Sequence, residues 1–430
     1  MKPTEIKAFF TDESSLNVDD YIFLTYWLET DIDPVQAVAY LCSESSTAQW
    51  CRPGVDEDFR PLHAAKVVEL KVLETSKVPS FPSQFNDADL FHRCFVRIAH
   101  PLHNCGVKIP NLLTIACGEG AFFSHGISSI KLLDIDFPKA FFEEFKGPRF
   151  GLNGLRRMLD VHDRPFFFGV VKPNIGLNPE DFSELAYQAW VGGLDAAKDD
   201  EMLADTIWSP FSKRMELLGI KKREAEDKTG VPKMFVANIT DEVENLVTLH
   251  DIAVENGINA VMVNGMTTGF SAIKMLKKRS SVPIVAHFDF IAAASRIPFY
   301  GVASEVFTKL QRLVGFDAII MPGFGRRMLT PENEVISNVK LCTQSWGGIE
   351  SALPLPGGSD WAGTLPMIYD KVGSVDFGMV PGRGVFGHPQ GPKAGAKSLH
   401  QAWRAVKEGT ELKEFSKNHA ELANAIKAFG

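Results

Sequence analysis

"MFVANITDEVENLVTLHDIAVENGINAVMVNG", residues 234–265, sets two short apolar runs on either side of one amphipathic stretch. The runs, "MFVANI" (234–239) and "AVMVNG" (260–265), are almost continuously apolar, as strands buried on both faces are. The stretch between them, "DEVENLVTLHDIAVENG", has a helical pattern and ends on a glycine. Strand, helix and strand in that order predict a parallel βαβ unit.

The same alternation extends in both directions. Further apolar runs are "PFFFGVVK" (165–172), "LDAAK" (194–198), "PIVAHF" (283–288), "DAIIMPG" (317–323), "SALPLPGG" (351–358) and "VDFGMVPG" (375–382), which brings the candidate strands to eight. Between them lie helical patterns such as "SEVFTKLQRLVG" and "ENEVISNVKLC". Another runs from Asn178 as cap and Pro179 as first helical residue to the stop at Gly192-Gly193. Eight βα units predict a closed (β/α)8 TIM barrel over residues 146–430, with C-terminal helices. Residues 1–145 mix helical stretches ("DPVQAVAYLCSES") with strand-like ones ("RCFVRIAHP") without that repeat, and predict a separate α+β domain. The boundary falls near Lys146-Gly147-Pro148.

Composition narrows the function. A chain of 430 residues with 45% apolar and 23% charged residues is folded throughout and long enough for two domains. A net charge of −8 gives no basic stripe for nucleic acid. No run approaches the ~18 apolar residues needed to cross a bilayer, and "MKPTEIKAFFTDESS" carries acidic residues where a signal peptide would be apolar. A cytoplasmic protein is expected. The six cysteines form no C-x-x-C pair and are expected to be reduced. His100, His103 and Cys105 in "HPLHNC" lack the second ligand pair of a zinc site.

In barrels of this class the chemistry sits at the C-terminal strand ends. Here those ends carry Lys172, Lys198 with Asp200 and Glu201, Asn238, Asn264, His287, Gly357-Gly358 and Gly382-Arg383-Gly384. Asp200 and Glu201 are hard oxygen ligands suited to Mg²⁺. Lys198 either pairs with those carboxylates as an ammonium or, converted by CO₂ into a carbamate, supplies a third oxygen; its position alone leaves both readings open. The glycines after strands seven and eight let backbone N–H groups approach a phosphate, with Arg383 as a cation beside them.

"FFGVVKPNIGL", "GGLDAAKDDE", "SESSTAQW" and "GRGVFGHPQG" resemble the large subunit of ribulose-1,5-bisphosphate carboxylase/oxygenase (Rubisco) along essentially the whole chain. The resemblance implies that Lys198 is the carbamylated lysine, Asp200 and Glu201 are Mg²⁺ ligands, and Lys172 handles the substrate proton. It also makes His287 an active-site histidine, and implies a homodimer in which Glu44 and Trp50 complete the partner's site. The departures are as informative. The second lysine of the family's K-P-K motif is Asn174, the arginine after the strand-five histidine is Phe288, and the strand-six histidine gives way to an apolar residue near Met321. The mobile loop that should carry a lysine reads "GFGRRM", the serine before the paired glycines is Pro356, and one phosphate-loop glycine is Arg383.

Those losses remove cations that would hold a second phosphate and a new carboxylate. The chain therefore resembles the Rubisco-like, form IV group, and within it the version of phototrophic bacteria associated with sulfur metabolism and oxidative stress. That resemblance implies Mg²⁺-dependent enolisation or isomerisation of a small, phosphorylated carbonyl compound, without carboxylation. The alternatives are a methionine-salvage enolase acting on a diketo-methylthiopentyl phosphate, and a non-catalytic regulatory or binding protein.

Overall fold

The computed structural model describes residues 3–49, 52–81, 88–325 and 327–430. In chain order its strands are β1 (Tyr21–Thr30), β2 (Lys66–Ser76), β3 (Phe91–Pro101), β4 (Ile127–Asp136), β5 (Phe166–Val170), β6 (Ala196–Lys198), β7 (Met234–Asn238), β8 (Ala260–Val263), β9 (Ile284–Ala286), β10 (Gly301–Val302), β11 (Ala318–Pro322), β12 (Leu353–Gly357) and β13 (Gly378–Met379). The chain divides into two compact units, one of residues 1–145 with 291–307, the other of residues 146–290 with 308–430.

In the second unit eight strands pair side by side in the order β12-β11-β9-β8-β7-β6-β5-β13, and all the paired registers are parallel. This is the expected barrel. Its ring is completed where Leu355 of β12 packs on Gly378 of β13, so closely that a Cβ at Gly378 would lie 2.4 Å from the leucine. The interior is filled by alternate residues, Phe166 and Phe168, Met234 and Val236, Ala260 and Met262, Leu353 and Leu355, with Leu152, Leu155 and Leu159 of helix Gly151–Leu159 in the same cluster. It is a packed core and not a pore, so ligands are confined to the rim.

The helices begin and end where their chemistry directs. Asn178 accepts the N–H of Asp181 at 2.7 Å ahead of Pro179–Val191, and Gly192 caps the far end. The helix expected between β7 and β8 is shorter than its pattern, Leu246–Glu255, because residues 242–245 form turns first.

In the first unit β1 pairs antiparallel with β3 and β4, β2 flanks β3, and the short β10 lies parallel to β4, giving the order β10-β4-β1-β3-β2. Helix Pro34–Glu44, capped by Asp33 on the N–H of Gln36, buries Ala37, Val38, Leu41 and Cys42. The residues of "HPLHNC" diverge. Among the described residues both ring nitrogens of His100 are buried without a partner and burial lowers its pKa to about 4, Cys105 is buried on its own turn, and His103 meets another histidine, His63, at 3.2 Å. Among the described residues the cysteines are free thiols, and no helix is long and apolar enough to cross a membrane.

Candidate active site

The charged run after β6 separates into two faces. Lys198, the last residue of β6, is buried; its Nζ donates to the Asp199 carbonyl at 2.7 Å and lies 3.3 Å from Glu201 Oε2. Asp199 points the other way, into a fully buried pair with Arg214 at 3.1 Å, and also accepts the Asn238 N–H at 2.9 Å. Burial pushes the Asp199 carboxyl up, and Arg214 only partly offsets it. Asp199 is thus a structural anchor that fixes its neighbours. Asn238 braces the same loop, its side-chain amide donating to the carbonyls of Glu201 at 2.9 Å and Leu203 at 3.3 Å. Asn264 caps the turn Gly265–Thr268. Neither amide, read as a rim residue in the sequence, lines the cavity described below.

Lys172, two residues beyond β5, donates from Nζ to Asn174 Oδ1 at 2.6 Å and to Asp200 Oδ2 at 2.7 Å. A Cβ on Gly382 would lie 2.8 Å from Lys172 Cε, so the missing side chain makes room for the lysine. His287, just after β9, lies with Nε2 3.2 Å from Glu201 Oε2 and Nδ1 3.4 Å from Asp289 Oδ2, and its ring stacks on Phe288 with centroids 4.9 Å apart. Burial works against the charged form of each partner. For His287, hydrogen bonds to Asp289 and Glu201 outweigh it and raise the pKa; for Glu201, the bond from His287 and the Lys198 charge outweigh it and hold the carboxyl well below the usual range.

These side chains share one cavity of about 790 Å³, lined by Lys172, Asn174, Lys198, Glu201 and His287 on one side and by Gly357, Gly358, Gly382, Arg383 and Gly384 on the other. Phe288, Ile320, Arg327, Met328, Asp360, Trp361 and Phe429 are among the other residues of its wall. Glu44 belongs to the first unit, exposed at the end of its helix, and Trp50 lies outside the described residues. The sequence reading missed Arg327, Asp360 and Trp361. The signal for Asp360 was present: an acidic residue shortly after a strand-end glycine pair, in "GGSDW".

The donor chemistry fits a hard dication. Asp200 and Glu201 are consecutive carboxylates held by lysine Nζ groups rather than by arginine forks, and the lysine buried on the Asp199 carbonyl stands beside them. Among the described residues, Glu201, His287 and Asp289 also bring one donor atom each within 4.8 Å of one another. Asp200, turned to Lys172, is not in that group.

Residues 151–429 match the family described as ribulose bisphosphate carboxylase large chain, catalytic domain. The chain is 54% identical over 426 residues to the ribulose bisphosphate carboxylase-like protein of Chlorobaculum thiosulfatiphilum, covering 99% of this chain and 98% of that one. It is 32% identical to the 3-oxo-isoapionate-4-phosphate decarboxylase of Rhizobium etli, covering 95% and 98%. The crystal structure of a rubisco-like protein from Burkholderia fungorum superposes with a TM-score of 0.87 at 28% identity, covering 95% of this chain and all of that one. The dimeric archaeal Rubisco of Hyperthermus butylicus does so with a TM-score of 0.86 at 27% identity, covering 99% of each.

Proposed function

We propose, from the premise that this chain belongs to the ribulose bisphosphate carboxylase large-chain family, that it is a Mg²⁺-dependent enzyme that enolises or isomerises a small phosphorylated carbonyl compound and does not carboxylate. The observation that carries this reading is Lys172 Nζ, 2.7 Å from Asp200 and in one cavity with Lys198, Glu201 and His287. When held by Asp200, Glu201 and a Lys198 carrying CO₂ as a carbamate, Mg²⁺ supplies the charge that favours an oxyanion at the substrate carbonyl.

The chain's own residues do the rest. Lys172 takes the proton from the carbon next to the carbonyl, and Asn174 and Asp200 aim its Nζ. His287, fixed between Glu201 and Asp289, holds Glu201 in place at the cavity wall. Arg383, beside Gly382 and Gly384, and Arg327 give the phosphate its cations. Phe288 lies flat on His287 where a second phosphate would need an arginine, and that absence of charge underlies the loss of carboxylation. The Rhizobium etli relative is named for a phosphorylated oxo compound, and loss of CO₂ next to a carbonyl leaves the same electron pair as loss of a proton.

In this reading the enzyme is a homodimer whose Glu44 and Trp50 complete the partner's site. Exposed apolar residues on loops that follow barrel strands, Ile175, Met202, Ile207, Phe290 and Leu329, support it as a surface that burial would favour. Its place is sulfur metabolism or the oxidative stress response, as for the proteins of phototrophic bacteria it resembles.

The test is a panel of phosphorylated ketoses, aldoses and diketones, the methionine-salvage diketone among them, incubated in D₂O with the CO₂- and Mg²⁺-treated protein. Deuterium should enter one carbon next to a carbonyl in at least one compound, and a chelator should stop it. Exchange indifferent to the chelator would contradict the reading.

A further inference from the structure

Asp360 is the cavity's one acidic side chain, among those described, that neither touches a lysine nor belongs to the proton-handling set. It stands three residues beyond β12, in a turn where Ser359 takes a left-handed φ of 62°, a conformation that costs energy for a non-glycine residue. Asp360 lines the cavity. Its Oδ2 accepts the Val380 N–H at 2.9 Å, a bond across to the chain beyond β13, and the side chain is buried. Gly384 packs so closely that a Cβ there would lie 2.3 Å from the Asp360 carbonyl, which puts Asp360 and the Gly382–Gly384 turn on the same end of the cavity.

No arginine, lysine or histidine of the described residues lies within ion-pair distance of Asp360, although Lys172, Lys198, His287, Arg327 and Arg383 surround the same space. A carboxyl placed in an anion's berth without a cation of its own has a definite chemical consequence. Toward an oxyanion that carries a proton it is an acceptor; toward one that carries none it is a repelling charge.

Resting on the phosphorylated-substrate reading above, we propose that Asp360 is a specificity-determining residue that selects a phosphate monoester over a sulfate ester or sulfonate, by accepting the proton of the bound phosphate monoanion. Sulfate esters and sulfonates have no such proton at neutral pH. Burial raises the Asp360 pKa to about 6, so at pH 7.5 the carboxyl is largely ionised and able to accept.

The probes are inorganic phosphate and inorganic sulfate, titrated calorimetrically into the full chain at pH 7.5. Phosphate should bind at least about tenfold more tightly than sulfate, because a like charge in a desolvated site is strongly disfavoured. Asp360→Asn, whose amide can donate, should tighten sulfate about tenfold and bring the ratio near one; Asp360→Ser should move it the same way. On the wild type alone, titrations of methyl phosphate, whose dianion carries no proton, in buffers of different ionisation enthalpy should show net proton uptake. Equal affinities for phosphate and sulfate in the wild type, a ratio unmoved in either variant, or methyl phosphate binding without proton uptake would each overturn the proposal. If both anions bind equally and Arg383→Ala abolishes both, the phosphate site stands and the role of Asp360 falls. If neither anion binds, the phosphorylated-substrate reading falls with it.

Discussion

Asp360→Asn should make the protein more stable, and only above a defined pH. Burial pushes the Asp360 carboxyl from 3.8 to about 6, against a partial lowering by the N–H groups of Val380 and Gly358. A rise of about two units corresponds to roughly 3 kcal/mol, at about 1.36 kcal/mol per unit. The native state keeps this proton up to about pH 6, whereas the unfolded chain releases it near pH 4. Between those values the native state binds more protons, so this group's contribution to stability falls as pH rises, and above about pH 6 the whole penalty is present. Below about pH 4 both states are protonated and the penalty vanishes. Denaturant unfolding of both proteins, followed by circular dichroism, should therefore show the asparagine variant ahead by about 3 kcal/mol at pH 8 and level with the wild type near pH 4. A variant less stable at pH 8, or an advantage that persists at pH 4, would refute the reasoning. Such a gain fits a carboxyl retained for ligand selection at the expense of the fold.

Breaking the buried pair by Arg214→Met should cost about 3–5 kcal/mol, measured by the same unfolding, because the Asp199 charge is left alone; a loss below about 1 kcal/mol would show the pair to be solvated. Gly382→Ala places a Cβ against the flexible end of Lys172, so the protein should fold normally while deuterium exchange falls about 10²-fold; unchanged exchange would mean that the lysine need not occupy its present position. Ribulose bisphosphate with Mg²⁺ and labelled bicarbonate should yield no acid-stable label, and clear incorporation would show that Phe288 and Asn174 do not prevent carboxylation.

The barrel was legible because each strand is continuously apolar and each intervening segment helical, a pattern set by burial on both faces of the sheet. Strand ends gave the position of Lys172, Lys198, Glu201 and His287, since the residue leaving a buried strand enters the rim. Side-chain direction was not legible. Asp199 and Asp200 are adjacent, yet Asp199 turns to Arg214 on a distant helix and Asp200 to Lys172, and only the packing of that helix decides which carboxylate faces the cavity. The same rule places Asn238 and Asn264 at the rim as amides, whereas in the fold they hold backbone in place. Asp360 escaped notice because its place depends on the Ser359 turn and the Val380 N–H, neither of which has a periodicity to read.

The central claim is that Lys172 removes a proton next to a carbonyl. Its most direct test takes whichever compound exchanges in D₂O and compares wild type with Lys172→Met by mass spectrometry, while calorimetry follows binding of the same compound. The account predicts that Mg²⁺-dependent exchange disappears in the variant and binding remains measurable. Undiminished exchange in Lys172→Met would contradict it.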